Sequence, residues 1–346
     1  MEATVPNGRA SAASPPKVLL LGKIELAHAA FEALTKSVTI VTPKSTNRDD
    51  FLAESRSGAF DGCKVAYRNF DSFSITGPFD ATVLDALPNS LRFICHCGAG
   101  YDQIDVPACT ERGIRVSNTP SAVDDATADT GIFLLLGALR NFNSCLFTLR
   151  RGEWRGSPPP ELGHDPRGKI LGFVGFGGIG QNMAAKARHF GLQIRYFKPN
   201  RLSVAEEERL GATYVDFDTL LAESDIISLN LRLNETTRHI ISEAEFRKMK
   251  KGVVIINTAR GAVIDEVALV NALDQGQVSS AGLDVYEDEP SVHPGLIKND
   301  RCMLLPHMGT YTSETERKME EWALDNVVKA VKSGVLRSIV PEQQNM

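Results

Sequence analysis

Along the chain, short runs of aliphatic and β-branched residues alternate with longer stretches of helical periodicity. The first half carries KVLLLG (17–22), VTIVT (38–42), CKVAYR (63–68), RFICHC (92–97) and IRVSN (114–118). Helical patterns fall between them, including Glu25–Leu34 and Asp80–Leu87. A second series follows: ILGFVGFG (170–177), QIRYF (193–197), DIISLNL (225–231), GVVIINTA (252–259), SAGLDV (280–285) and MLLP (303–306). Helices are predicted at Gln181–Phe190, Glu266–Asp274 and Ser313–Ser333. Apolar runs alternating with helices read as βαβ units, and continuous rather than alternating apolarity reads as a parallel sheet covered on both faces. The prediction is an α/β protein of two Rossmann-like or flavodoxin-like domains. Between the two series, Ala126–Arg150 is apolar nearly all round at its centre, which predicts one long helix buried between domains or subunits. The Pro/Gly-rich GSPPPELGHDPRG (156–168) is a surface connection.

The apolar run at 170–177 passes directly into Gly175-Phe176-Gly177-Gly178-Ile179-Gly180, a G-x-G-x-x-G that opens a helix with small residues on its packing face. Gly175 permits the tight turn, Gly177 lets the backbone approach a pyrophosphate, and Gly180 lets helix and strand pack closely. The amides of Gly178 and Ile179 lie in the helix N-terminus, where free N–H groups and a partial positive charge favour phosphate. The next strand ordinarily ends in an acid for the adenosine ribose. Here no acid lies between Gln193 and Ala205, and Lys198 and Arg201 stand there instead. Two cations suit a 2′-phosphate better than a bare hydroxyl, so the expectation leans to NADPH, with NADH the alternative.

Three later strands end in Asn257-Thr258-Ala259-Arg260, in Asp284-Val285-Tyr286-Glu287-Asp288-Glu289-Pro290, and in Pro306-His307-Met308-Gly309. In an open parallel sheet the carboxyl ends of strands face the ligand crevice. An Arg, an acid and a His delivered there fit carboxylate recognition plus proton transfer. Thr258 and Ala259, beside Arg260, join the candidate cofactor set.

At this point the sequence resembles the D-isomer-specific 2-hydroxyacid dehydrogenases, over nearly the whole chain after the tail. The carrying motifs are CHCGAGYDQID (95–105), VSNTPSAVDDATAD (116–129), RRGEW (150–154), VGFGGIG (174–180), NTARGAVID (257–265), AGLDVYEDEP (281–290) and LPHMG (305–309). GHDPRGKILGFVGFGGIG looks like fungal glyoxylate and hydroxypyruvate reductases and the D-mandelate dehydrogenase branch. The family spaces its catalytic Arg, Glu and His by 29 and 18 residues; here 289 − 260 and 307 − 289 give the same, so Arg260, Glu289 and His307 carry over. Glu287 and Asp288 compete as acids, and spacing favours Glu289. Arg260 would present a planar fork to the substrate carboxylate. His307 would exchange the proton with the carbonyl oxygen, and Glu289 would fix its tautomer.

The resemblance further implies that the amides of Ala99 and Gly100 grip the substrate carboxylate. It implies that Asp284 meets the nicotinamide carboxamide and that Thr127 lines the cofactor cleft. His96 reads as a core or interface residue, and His164, His189, His239 and His293 as surface residues. The implied organisation is a 1–15 tail, a discontinuous substrate-binding domain (16–120 plus 312–346), and an NAD(P)-binding domain (121–311) inserted in it, with both ligands in the cleft between. The implied activity is reduction of a 2-oxo acid to the D-2-hydroxy acid by a homodimer. Glyoxylate, hydroxypyruvate, phenylpyruvate and benzoylformate are candidate substrates. The C-terminal-binding-protein corepressors, nucleotide-sensing binding modules, share the resemblance. The long extensions expected of them are not evident, and the catalytic trio is complete.

Composition agrees and narrows the class. The 346 residues include 38 Lys plus Arg against 43 Asp plus Glu, a net charge of −5, which is no electrostatic footprint for nucleic acid. No run approaches the ~18 apolar residues of a bilayer span, and the tail lacks the apolar segment of a secretory signal. The six cysteines lack the paired spacing of a metal site and read as reduced thiols of a cytoplasmic protein.

Overall fold

The computed structural model describes residues 14–345; the expectation for the tail falls largely outside them. The chain divides into two compact units. One holds the chain up to Thr119 and again from Arg317, and the other holds Pro120–Glu316.

In the first unit, β1 (Lys17–Leu21), β2 (Thr39–Val41), β3 (Cys63–Asn69), β4 (Phe93–Cys97) and β5 (Arg115–Ser117) form one sheet in the order β2-β1-β3-β4-β5. All its ladders are parallel. This is the flavodoxin-like order, in which the chain reverses its direction of growth between β1 and β3. Leu19, Leu21, Phe51, Phe60, Phe79 and Ile94 form the centre of its core. The helix Arg48–Arg56 was not legible from periodicity, because RDDFLAESR buries only Phe51, Leu52 and Ser55. Its signal is the cap, where Asn47 accepts a hydrogen bond from the Asp50 N–H. The helix expected from Glu25 starts instead at His28. The reason is Glu320, whose carboxylate accepts the N–H groups of Glu25, Leu26 and Ala27 at 2.8, 2.8 and 2.7 Å and holds that segment in a bend ahead of the helix.

The second unit adds β6 (Ile170–Val174), β7 (Gln193–Phe197), β8 (Ala212–Tyr214), β9 (Ile226–Leu229), β10 (Val253–Asn257), β11 (Val278–Leu283) and β12 (Cys302–Leu304). They form a seven-stranded parallel sheet in the order β12-β11-β10-β9-β6-β7-β8. Every residue of β9 and β10 is buried, as expected of strands covered on both faces. Separate apolar clusters fill the two sides. The reversal falls between β6 and β9, where a doubly wound sheet opens its ligand crevice.

One expectation is corrected here. Ala126–Arg150 is not one helix but two, Asp124–Leu139 and Phe142–Arg150, bent by 77°. The break lies at Asn141, whose left-handed φ of +52° an asparagine tolerates better than most residues. The first helix is largely buried; the second buries only Thr148. No single helix among the described residues is long and apolar enough to cross a membrane.

Candidate active site

The site of the second unit is assembled at the carboxyl ends of β6, β7, β10, β11 and β12. Gly175, at φ +83°, ends β6; a Cβ there would lie 2.5 Å from the Asn230 carbonyl oxygen, so no side chain fits. Gly177 has no protein atom within 4 Å of such a Cβ, which leaves the backbone open where a pyrophosphate would approach. The helix Gly178–Arg188 starts directly after it.

At the end of β7 the structure adds an acid that reading the strand alone did not find. Glu207, in the helix Val204–Leu210, reaches back to Arg201 through two hydrogen bonds of 2.8 Å and also accepts from Tyr196 Oη at 2.6 Å. Arg201 and Tyr196 together hold its carboxyl down at about 2. Arg201 therefore already carries a counter-charge. Lys198 makes no hydrogen bond among the described residues.

The catalytic candidates come together at the far ends of β10, β11 and β12. His307 Nδ1 lies 2.8 Å from Glu289 Oε2, while Glu289 Oε1 accepts the Tyr286 N–H at 2.9 Å. Burial alone would raise the Glu289 pKa. The hydrogen bond and charge of His307, the Tyr286 N–H and the charge of Arg260 outweigh it and hold the carboxyl below its ordinary 4.5. An ionised carboxylate can only accept, so Nδ1 carries a proton and Nε2 is the nitrogen left for substrate. The Arg260 backbone is fixed by Asn257, whose Nδ2 donates to its carbonyl at 2.8 Å.

The neighbouring acids are occupied elsewhere. Glu287 accepts from Arg238 at 2.9 Å and contacts His239 Nε2 at 2.6 Å. His239, read from sequence as a surface residue, is thus half-buried in a second His–Glu pair. Asp288 sits on the turn beyond it.

Asp284 is almost fully buried and serves the loop that carries His307. Its backbone oxygen takes the His307 N–H at 2.8 Å, and its two carboxylate oxygens take those of Met308 and Gly309 at 2.6 and 2.8 Å. Burial raises its pKa, and these N–H groups and His307 partly offset that. Thr127 approaches the same loop: a Cβ on Gly309 would lie 3.3 Å from its Cγ2. Thr258 Oγ1 is buried with no partner among the described residues. That orphaned hydroxyl and the open backbone at Gly177 both fit a bound dinucleotide.

In the first unit, Ala99 and Gly100 follow β4. Among the described residues neither N–H donates to a protein acceptor, although the carbonyls of Gly98, Ala99 and Gly100 are all engaged.

A phosphate-accepting turn at the switch point, with an acid–base pair at neighbouring strand ends, defines a nicotinamide-dependent dehydrogenase. Comparison with known proteins specifies which kind. The model of the D-isomer specific 2-hydroxyacid dehydrogenase NAD binding domain matches residues 132–309. A 4-methyl-2-oxopentanoate reductase A of Aspergillus oryzae is 54% identical over 96% of this chain and 99% of its own. Among solved structures, a glyoxylate reductase from Paecilomyes thermophila is 52% identical, with a TM-score of 0.92 over 96% of this chain and 100% of its own. The holo D-mandelate dehydrogenase of Rhodotorula graminis is 31% identical, with a TM-score of 0.89 over 95% and 98%. The chain belongs to the D-isomer specific 2-hydroxyacid dehydrogenase family and is an NAD(P)-dependent oxidoreductase.

The depressed Glu289 pKa has a pH consequence. Its hydrogen-bonded carboxylate contributes stability above the ordinary 4.5, and that contribution is lost as pH falls through the lower folded-state value. Denaturant unfolding of wild type and Glu289→Gln should therefore differ most at neutral pH, and the gap should shrink on acidification below 4.5.

Proposed function

We propose that the protein reduces 2-oxo acids with an apolar side chain, along with glyoxylate, to the corresponding D-2-hydroxy acids. The observation that carries the reading is the His307–Glu289 pair beside Arg260 at adjacent strand ends. Arg260 takes the substrate carboxylate through its planar fork. In the first unit, the free N–H groups of Ala99 and Gly100 are suited to the same kind of acceptor. Doubly protonated His307 donates its Nε2 proton to the carbonyl oxygen and keeps Nδ1–H on Glu289, whose charge steadies the imidazolium. The nicotinamide, when bound, supplies the hydride. The backbone from Gly175 to Gly180 would hold its pyrophosphate, with Thr127, Thr258, Ala259 and Asp284 towards the nicotinamide. The similarity to a 4-methyl-2-oxopentanoate reductase supports a branched aliphatic substrate. The test is oxidation of reduced cofactor with 4-methyl-2-oxopentanoate, glyoxylate, hydroxypyruvate and phenylpyruvate. His307→Asn should lower kcat by ~10²–10⁴ and leave cofactor affinity unchanged; near-normal turnover would remove His307 from the mechanism.

The cofactor is NADPH in preference to NADH, and Lys198 carries the preference because Arg201 is shared with Glu207. One charge-assisted hydrogen bond to the 2′-phosphate, weakened by exposure, amounts to about tenfold in kcat/KM. Lys198→Ala should abolish that margin, whereas Glu207→Gln, which releases Arg201, should widen it. Equal use of both cofactors by wild type contradicts the assignment.

The protein works as a homodimer. Phe142, Leu146, Phe147, Leu149, Trp154 and Leu162 are all exposed, Trp154 at 72% and Leu162 at 95%. So dense an apolar run marks an association surface rather than a free one. Sedimentation velocity should show a dimer for wild type and a monomer for Phe147→Glu/Leu149→Glu; a wild-type monomer refutes it.

A further inference from the structure

We propose that Asn118 and His96 are positioning residues of a preset carboxylate cradle: Asn118 fixes the peptide that carries the Gly100 N–H, and His96 anchors the peptide that follows, so that the Ala99 and Gly100 N–H groups stay turned out together. This rests on the reading above that the loop receives the substrate carboxylate.

Every peptide of this loop is trans, so each carbonyl points away from the N–H of the following residue. Fixing a carbonyl therefore fixes an N–H. The Gly98 carbonyl accepts the Thr119 N–H at 3.0 Å, which directs the Ala99 N–H the opposite way. The Ala99 carbonyl accepts Asn118 Nδ2 at 2.7 Å, which directs the Gly100 N–H likewise. The next carbonyl, of Gly100, meets His96 Nε2 at 2.9 Å and closes the turn. Three consecutive carbonyls are thus held by protein donors, and the two N–H groups between them are left for an external acceptor.

His96 can do this in one tautomer only, and the structure enforces that tautomer. Arg68 Nη1 lies 3.1 Å from His96 Nδ1. A guanidinium only donates, so Nδ1 accepts and the ring hydrogen sits on Nε2, facing Gly100. Arg68 is placed by strand register, since it stands directly opposite His96 in the β3–β4 ladder, and by Gln103, whose Oε1 accepts from its Nη2 at 2.7 Å. Both Arg68 and His96 are fully buried. Phe70 packs edge-on against the imidazole with ring centroids 5.2 Å apart. A Cβ on Gly98 would lie 2.5 Å from His96 Nε2 and 2.7 Å from the Phe70 ring, so the loop passes over the imidazole only because Gly98 has no side chain. A buried Arg–His pair beneath a bare glycine turn adds little to the core. It costs desolvation and yields a fixed end to the turn that carries the two amides, the usual trade in preorganised anion sites.

The test is steady-state kinetics with glyoxylate and 4-methyl-2-oxopentanoate on folded, full-length variants. His96→Ala and Asn118→Asp should raise the 2-oxo acid KM by ~10- to 100-fold, the size of one or two hydrogen bonds to a charged group. Saturated kcat and the cofactor KM should move little, because the residues act on substrate placement alone. His96→Gln should restore most of the loss, since its amide nitrogen can reach the Gly100 carbonyl as Nε2 does. Should His96→Ala fail to fold, Asn118→Asp and His96→Gln decide the matter. A wild-type 2-oxo acid KM in the His96 and Asn118 variants overturns the proposal, as does an equal rise in the cofactor KM. Gly100→Pro, which deletes one cradle N–H, separates the two levels. Raised KM there with unaffected His96 and Asn118 variants defeats the positioning role alone, and unchanged KM in all of them defeats the cradle reading as well.

Discussion

The geometry of the candidate site depends on the buried carboxylate of Asp284. Leaving β11, the chain places this side chain where it receives the N–H groups of Met308 and Gly309, while its own carbonyl takes that of His307. Three successive donors on one residue fix the turn after β12. His307 is held there at φ +56°, in the left-handed region that histidine enters more readily than most side chains. The same segment, a few residues on from Asp284, delivers Glu289. The residue that follows β11 thus sets where the imidazole sits, and the loop it begins supplies the partner that orients the ring.

Parallel topology makes this economy general. All strands of the second unit run the same way, so β6, β7, β10, β11 and β12 present their carboxyl ends on one edge. The glycine turn after β6, the cations after β7, Arg260, Glu289 and His307 share that edge without any long excursion of chain. The first unit follows the same rule with its own reversal between β1 and β3, and its glycine turn leaves from the end of β4 beside it. In both units the candidate site residues sit on turns held through main-chain hydrogen bonds, with side chains deciding which peptide groups remain available.

Where period and caps agreed, the sequence was easily read. QIRYF is β7 residue for residue, and the helices Glu266–Asp274 and Ser313–Ser333 have the predicted ends. Weak periodicity hid β8, three residues long after Gly211, and the polar helix Arg48–Arg56. The break at Asn141 carries no Gly or Pro to announce it. Spacing within one motif series pointed to Arg260, Glu289 and His307, because all three depend on fixed lengths of chain after adjacent strands. Contacts set by register or by a returning helix left no such trace. The Glu207 reach to Arg201, the His239–Glu287 pair and the Arg68–His96–Gly100 chain each join residues that become neighbours only once strands are ordered and helices docked.

In the proposed reaction these strand ends deliver a proton to the oxygen of a 2-oxo acid while hydride reaches its carbon from one face. The direct measurement is the isotopic and chiral analysis of 2-hydroxy-4-methylpentanoate formed from 4-methyl-2-oxopentanoate with nicotinamide cofactor deuterated at the transferred C4 position. The expected product is the D enantiomer with one deuteron at C2 and none acquired there from solvent. An L or racemic product, solvent hydrogen at C2, or no turnover of any 2-oxo acid would contradict it.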